Sequence, residues 1–133
     1  MCKNIEILHE IMGTLEPIPS FVDFETFSAE GYKEYKVTNG EMKSYSLFNS
    51  DAVAVAKTFI SKGAVLDTHI HPDSTELIVI MDGELRIHSG RKAMMLPKFS
   101  SIKIDKNINH SAVAVEDTWF IAVTIPRDYG FPE

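Results

Sequence analysis

From Asp51 onward the chain alternates short runs of apolar and β-branched residues with clusters of Gly, Asn, Asp and Ser. Within each run the apolar positions recur with a period near two, the mark of half-buried strands. Strands are expected near Ala52–Ile60, Leu66–His71, Glu76–Met81, Glu84–His88, Lys92–Met95, Ser101–Ile104, Ser111–Val115 and Thr118–Thr124. Asp82-Gly83 and Ser89-Gly90 read as two-residue turns of the kind that joins antiparallel strands. Short strands at such spacing predict an all-β sandwich or barrel and not a parallel sheet.

The pattern differs upstream. Tyr32–Val37 and Glu41–Phe48 flank Asn39-Gly40, a strong hairpin signal. Earlier still, Ile5, Leu8, Ile11, Met12 and Leu15 fall at helical spacing, with Asn4 as N-cap, Glu6 in the first turn and Pro17 and Pro19 beyond the end. So short an amphipathic helix is not stable alone, so it is expected to dock on the domain or on a second copy. The 133 residues therefore read as one domain, with residues 1–49 as an extension and residues 50–133 as the main β body.

Composition narrows the partners. The net charge is −6 and the basic residues are scattered, which argues against a nucleic-acid partner. No apolar run reaches the roughly 18 residues of a membrane span. The start, Met1-Cys2-Lys3-Asn4, has neither a signal-peptide core nor an Arg-rich transit pattern. Cys2 is the single cysteine, which excludes an internal disulfide and fits a reducing compartment. A cytoplasmic location is the expectation.

The chemistry gathers in one stretch. His69 and His71 stand two apart in an apolar-rich segment, so on a strand both rings would leave the same face. After the Pro72-Asp-Ser-Thr75 turn comes Glu76, at the head of the apolar run Leu77–Met81, where an unpaired carboxylate would be costly. Two imidazoles and a carboxylate from neighbouring strands suit a divalent first-row metal with open coordination positions. His110, preceded by Asn107-Ile-Asn109, is a distant partner.

The run Gly63-x5-His69-x-His71-x4-Glu76-x6-Gly83 resembles the first signature motif of the cupin family position for position. The second cupin motif, in outline Pro-x-Gly-x2-His-x3-Asn, is similar to Asp105-Lys-Asn107-Ile-Asn-His110-x3-Ala114 with only the histidine kept. Asn107 is the next best residue after glycine for the left-handed turn this motif needs, Asp105 is an ordinary turn former, and Ala114 would reshape the pocket wall. The resemblance spans roughly residues 50–125. It implies a single jelly-roll (double-stranded β-helix) cupin barrel, preceded here by the short helix and the hairpin. It also implies His69, His71, Glu76 and His110 as ligands of one divalent transition metal ion: Fe, Mn, Ni, Co, Cu or Zn.

Other residues attract a plainer reading. His9 is a surface or docking residue of the helix, and His88 is expected in solvent beside its turn. Phe59, Trp119 and Phe120 are expected in the barrel core, with a second reading of one of them as a pocket wall. Asp67 is expected at a turn or rim, with a second reading as the acceptor that fixes an imidazole tautomer. Tyr32, Tyr35 and Tyr45 are expected to be exposed on the hairpin, although from there they could reach a barrel mouth. Glu84, Arg86 and Asp67 are the candidates for an acid or base beyond the ligands.

Two functional classes follow. One is a mononuclear-metal enzyme of dioxygenase-like or lyase/isomerase chemistry, acting on a small polar or carboxylated molecule. The other is a non-catalytic protein that binds or senses a metal or small molecule. No catalytic residue is assigned. A homodimer is expected, because the helix and hairpin exceed what a minimal barrel requires and strand edges need covering.

Overall fold

The computed structural model describes residues 32–128. The helix expected over Asn4–Leu15 and its His9 lie outside them. Ten strands follow one another: β1 (Tyr32–Tyr35), β2 (Met42–Asn49), β3 (Ala54–Ile60), β4 (Val65–His69), β5 (Thr75–Asp82), β6 (Leu85–Ser89), β7 (Lys92–Leu96), β8 (Ser101–Ile104), β9 (His110–Ala114) and β10 (Thr118–Ile125). They form two antiparallel sheets, ordered β1-β2-β3-β10-β5-β8 and β4-β9-β6-β7. This is the all-β jelly roll, and no helix occurs among the described residues.

The period-two alternation decides what faces the space between the sheets. On β5, Glu76, Ile78 and Ile80 are buried while Leu77, Val79 and Met81 are half-buried on the other face. Ile78 and Ile80 meet Leu85 and Ile87 of β6, Ile104 of β8 and Phe120 of β10 in one cluster. Each such side chain contributes about 1.5–3 kcal/mol through burial, so this inter-sheet layer fixes the register of the strands.

Several local expectations are corrected. Asp82-Gly83 does not close a hairpin, because β5 and β6 belong to different sheets and the turn carries the chain between layers. Gly83 has φ +89°, and a Cβ there would lie 2.3 Å from the Asp117 carbonyl oxygen, so only glycine passes at this crossing. The turn between β6 and β7 is Gly90-Arg91, one residue later than expected, closed by the Ser89↔Lys92 pair. Asn39-Gly40 does not form a two-residue hairpin turn either. β1 and β2 do pair, with Tyr35 opposite Met42, but residues 36–41 detour so that Thr38 exchanges two backbone hydrogen bonds with Val65, at 3.0 and 2.8 Å. Val37 packs against the core there, and that burial together with the Thr38 bridge outweighs local turn preference.

The aromatic residues also divide. Phe120 is in the core, but Trp119 and Phe59 are half-buried on the outer face of the six-stranded sheet, with ring centroids 5.0 Å apart. The Lys57 ammonium sits 4.5 Å from the Trp119 ring centroid on that face. A period of two allows only one of two adjacent residues to point inward, and Phe120 takes that place. His88, expected in solvent, is half-buried, and its Nε2 is enclosed without a hydrogen bond among the described residues. Arg86 is exposed with its Nε–H directed at the Met95 sulfur (3.3 Å), and the Glu84 backbone N–H donates to Thr118 Oγ1 (3.0 Å).

Candidate metal centre

The two sheets bring the sequence-selected residues together from four places. His69 ends β4 and pairs directly with His110, the first residue of β9. Glu76 is the second residue of β5, on the opposite sheet. His71 lies past the end of β4, not on it as the expected strand Leu66–His71 required. The β4–β9 register shifts between Leu66 and His69, and the segment after His69 leaves the sheet. His71 nevertheless keeps its ring close to the others, with centroids 5.2 Å from His69 and 5.4 Å from His110. The His69 and His110 rings are 4.2 Å apart.

Two turns place these rings. Asn107 has φ +67°, the left-handed conformation expected of the residue standing where the family motif has glycine. Its N–H donates to the His71 carbonyl (3.0 Å), so the turn that delivers His110 is tied to the loop that delivers His71. Gly63 and Gly83 also take positive φ, +84° and +89°. Ala114 is buried in the core, opposite Leu85, and takes no part in the cavity wall.

The ring nitrogens are sorted by their partners. His69 Nδ1 donates to the Asp67 carbonyl at 2.7 Å, His110 Nδ1 to the Ile108 carbonyl at 2.9 Å, and His71 Nδ1 to Asp128 Oδ2 at 2.6 Å. A carbonyl only accepts, so Nδ1 of His69 and His110 carries a proton, and Nε2 is the nitrogen of each ring turned away from that bond. Asp67 therefore fixes a tautomer, through its backbone and not its side chain. One ligand atom from each of His69, His71 and His110 lies within 4.8 Å of the others, a spacing able to hold a metal ion. His110 Nε2 is buried and makes no hydrogen bond among the described residues, which is costly unless an electrophile completes it. Glu76 Oε1 is 3.3 Å from Nε2 of both His71 and His110.

Electrostatics set the charges of the metal-free cluster. Burial pushes the Glu76 carboxyl up, but its contacts with His110 and His71 outweigh that and hold it down at about 2. Burial pushes His69 down to about 4, only partly countered by the Asp67 carbonyl. His71 is also lowered by burial, yet Glu76 and Asp128 outweigh this and raise it. At neutral pH the site thus presents an anionic carboxylate and an uncharged His69, as cation ligation requires.

A cavity of about 120 Å³ opens beside these groups, with His69, Glu76 and His110 in its wall. Its space comes from alanines at inward positions: Ala54 and Ala56 of β3, Ala112 of β9 and Ala122 of β10. Ile78, Phe120, Met42 and Leu66 make the rest of the wall apolar. The polar features are Tyr35, Thr124, Asp128 and the Ser44–Thr58 hydroxyl pair (3.0 Å). An adjoining hollow, sharing Tyr35, Ala56 and Asp128, carries Lys33 and Arg127.

Glu84 and Arg86 are absent from the cavity wall, so neither serves as its acid or base. Of the three hairpin tyrosines, Tyr35 reaches the cavity, whereas Tyr32 is exposed and Tyr45 stacks towards Trp119 on the outer face. Asp128 and the alanine wall are not apparent from residue spacing. Asp128 is 57 residues beyond His71 and no local pattern joins them; the inward alternation Ala54-x-Ala56-x-Thr58 was the one available signal for a hollow core.

No family model matches the sequence, and no curated protein does. Solved structures are similar in fold. KdgF from a Halomonas species shares 19% identity over 71% of this chain and 88% of its own, with a TM-score of 0.64. An RmlC-like cupin from Shewanella frigidimarina shares 18% over 82% and 96%, with a TM-score of 0.66. A predicted oxalate decarboxylase from Thermotoga maritima shares 20% over 73% and 93%, with a TM-score of 0.64. Among the described residues no helix is long and apolar enough to cross a membrane. The two-sheet topology, the histidine cluster between the sheets and these structural likenesses agree: the chain has the cupin fold.

Proposed function

We propose that the chain is a mononuclear metal protein in which His69, His71, Glu76 and His110 hold one divalent transition metal ion at the wall of a small-molecule chamber. The observation that carries this reading is the sorting of the ring nitrogens. Each Nδ1 is taken by an acceptor, and the ligand atoms of three histidines meet within 4.8 Å beside an ionised, buried carboxylate. Iron, manganese, nickel, cobalt, copper and zinc all accept such a ligand set.

Within that chamber the function that fits best is an enzyme acting on a small polar or carboxylated molecule, of dioxygenase-like or lyase/isomerase type. A bound metal would supply Lewis acidity or a site for a small oxygen ligand. The chain's own residues do the rest. Ile78, Phe120 and Met42 exclude water, the Ser44–Thr58 pair and Thr124 offer hydrogen bonds, and Tyr35 in the wall is the candidate proton donor. A small carboxylated substrate is favoured by the fold shared with a predicted oxalate decarboxylase. Elemental analysis of protein purified without added metal tests the reading. One equivalent of metal in the wild type and its loss in the His69→Ala/His71→Ala variant are expected. Equal sub-stoichiometric metal in both would refute the ligand assignment.

A further inference from the structure

We infer that Asp128 is a positioning residue that couples metal loading to docking of the chain segment after β10, an inference resting on the metal reading above. The three histidines are oriented in two different ways. His69 and His110 each donate Nδ1–H to a backbone carbonyl two residues earlier, so their own loops orient them. His71 instead donates to a carboxylate 57 residues away, at 2.6 Å. That bond is charge-assisted, and it is shielded: the His71 side chain is 2% exposed and the Asp128 side chain 14%. A carboxylate on Nδ1–H makes the opposite nitrogen a stronger donor and locks the ring's orientation.

The segment carrying Asp128 is held by several separate bonds. Ser74 Oγ, itself 1% exposed, donates to the Pro126 carbonyl at 2.7 Å. The Arg127 N–H donates to the Asp51 carbonyl (3.3 Å), and the Asp128 N–H to Thr124 Oγ1 (3.4 Å). Ser74 belongs to the same short loop that runs from His71 to Glu76, so the tail is tied to the stretch bearing both of those groups. Residues 126–128 thus form a strap that holds the Asp128 carboxylate on His71 Nδ1. Because strap and metal act on opposite nitrogens of one imidazole, each favours the ring position the other needs, and the coupling is reciprocal.

The test is metal affinity by competition with a chromophoric chelator, using Zn²⁺ alone, with the visible spectrum of the Co²⁺-loaded protein as a second readout. Asp128→Ala is expected to weaken Zn²⁺ binding by about 10–100-fold and to alter the Co²⁺ bands. Asp128→Asn, whose amide oxygen still accepts from Nδ1–H and which preserves shape if the alanine variant folds poorly, should fall between the two. In a His71→Ala background the Asp128 substitutions should change affinity no further. Hydrogen exchange of the Arg127 and Asp128 amides should slow on adding Zn²⁺ to the wild type and not to Asp128→Ala. Wild-type affinity in both Asp128 variants, or an equal loss in the His71→Ala background, would overturn the positioning role while leaving the metal reading intact. A wild-type protein that takes up no Zn²⁺ or Co²⁺ would overturn both.

Discussion

Filling the alanine-lined chamber should separate ligand binding from metal binding. Ala56 is the substitution of choice, because it points into the cavity from β3, and β10 separates β3 from the strand carrying Glu76. Its cross-strand neighbours are Ala122 on β10 and Ser46 on β2, so the added side chain meets no bulky partner on either side. Ala56→Leu adds three carbons to a space of about 120 Å³. If they are accommodated they bury apolar surface worth about 0.8 kcal/mol each, or about 2.4 kcal/mol in all. Imperfect fit costs about 1–3 kcal/mol, so the net change in stability should stay within about 2 kcal/mol of zero. A ligand that needs the same space must displace the leucine and forfeit that burial, which amounts to ~50-fold in affinity. The assay is titration of the Co²⁺-loaded protein with oxalate, a small bidentate acid, followed in the visible spectrum, with Zn²⁺ affinity and urea unfolding in parallel. Weakened oxalate binding, metal affinity within about threefold of wild type and near-normal unfolding are expected. Unchanged oxalate binding would show that this cavity is not where ligand meets metal. Loss of Zn²⁺ together with oxalate would show that Ala56 supports the ligand cluster instead of lining a separate chamber.

Further outcomes follow from the same geometry. The metal-free protein should lose about 3 kcal/mol of stability as pH falls from about 4.5 to about 2, since Glu76 is held near 2 in the fold. Its carboxyl is depressed, so that stability is complete above its ordinary value and goes with protonation; Glu76→Gln should flatten this limb of an acid-unfolding curve. His69 acts one step earlier: held at about 4, it resists the proton that the unfolded chain accepts at 6.5, so stability should begin to fall below pH 6.5. A His69→Gln variant should lack that earlier decline. Gly83→Ala should destabilise by more than about 2 kcal/mol in urea unfolding, combining a left-handed backbone with a Cβ 2.3 Å from the Asp117 oxygen. Light scattering should give twice the 14.9 kDa chain mass, the dimer expected from the extension and the half-buried outer face of β5; a monomer across the concentration range would contradict it.

The legible and illegible parts of this molecule differ in how far along the chain their causes lie. The strands could be read because each is specified by its own alternation, and β5 shows it most clearly, with Ile78 and Ile80 inward and Leu77 and Val79 outward. Asn107 could be read too, because a left-handed turn is a property of one residue and its neighbours, and φ +67° is the conformation its place required. The turns failed where a distant element competed. Asn39-Gly40 would make a tight hairpin in isolation, yet Thr38 gains two hydrogen bonds to Val65 only by giving that hairpin up. Asp82-Gly83 has the composition of a hairpin turn, but composition does not say whether the following strand joins the same sheet. The site divides along the same line. His69, His71 and Glu76 are within eight residues of one another and declare themselves by spacing, whereas Asp128 and the alanine wall arise only when β3, β9, β10 and the following segment meet. Three of the four proposed ligands are therefore written locally in this chain, and His110 joins them only through the β4–β9 pairing. The shape of the cavity, and what holds His71 in place, are set by the assembled sheets, which is why the substitutions that discriminate most sharply are Ala56 and Asp128 and not the histidines themselves.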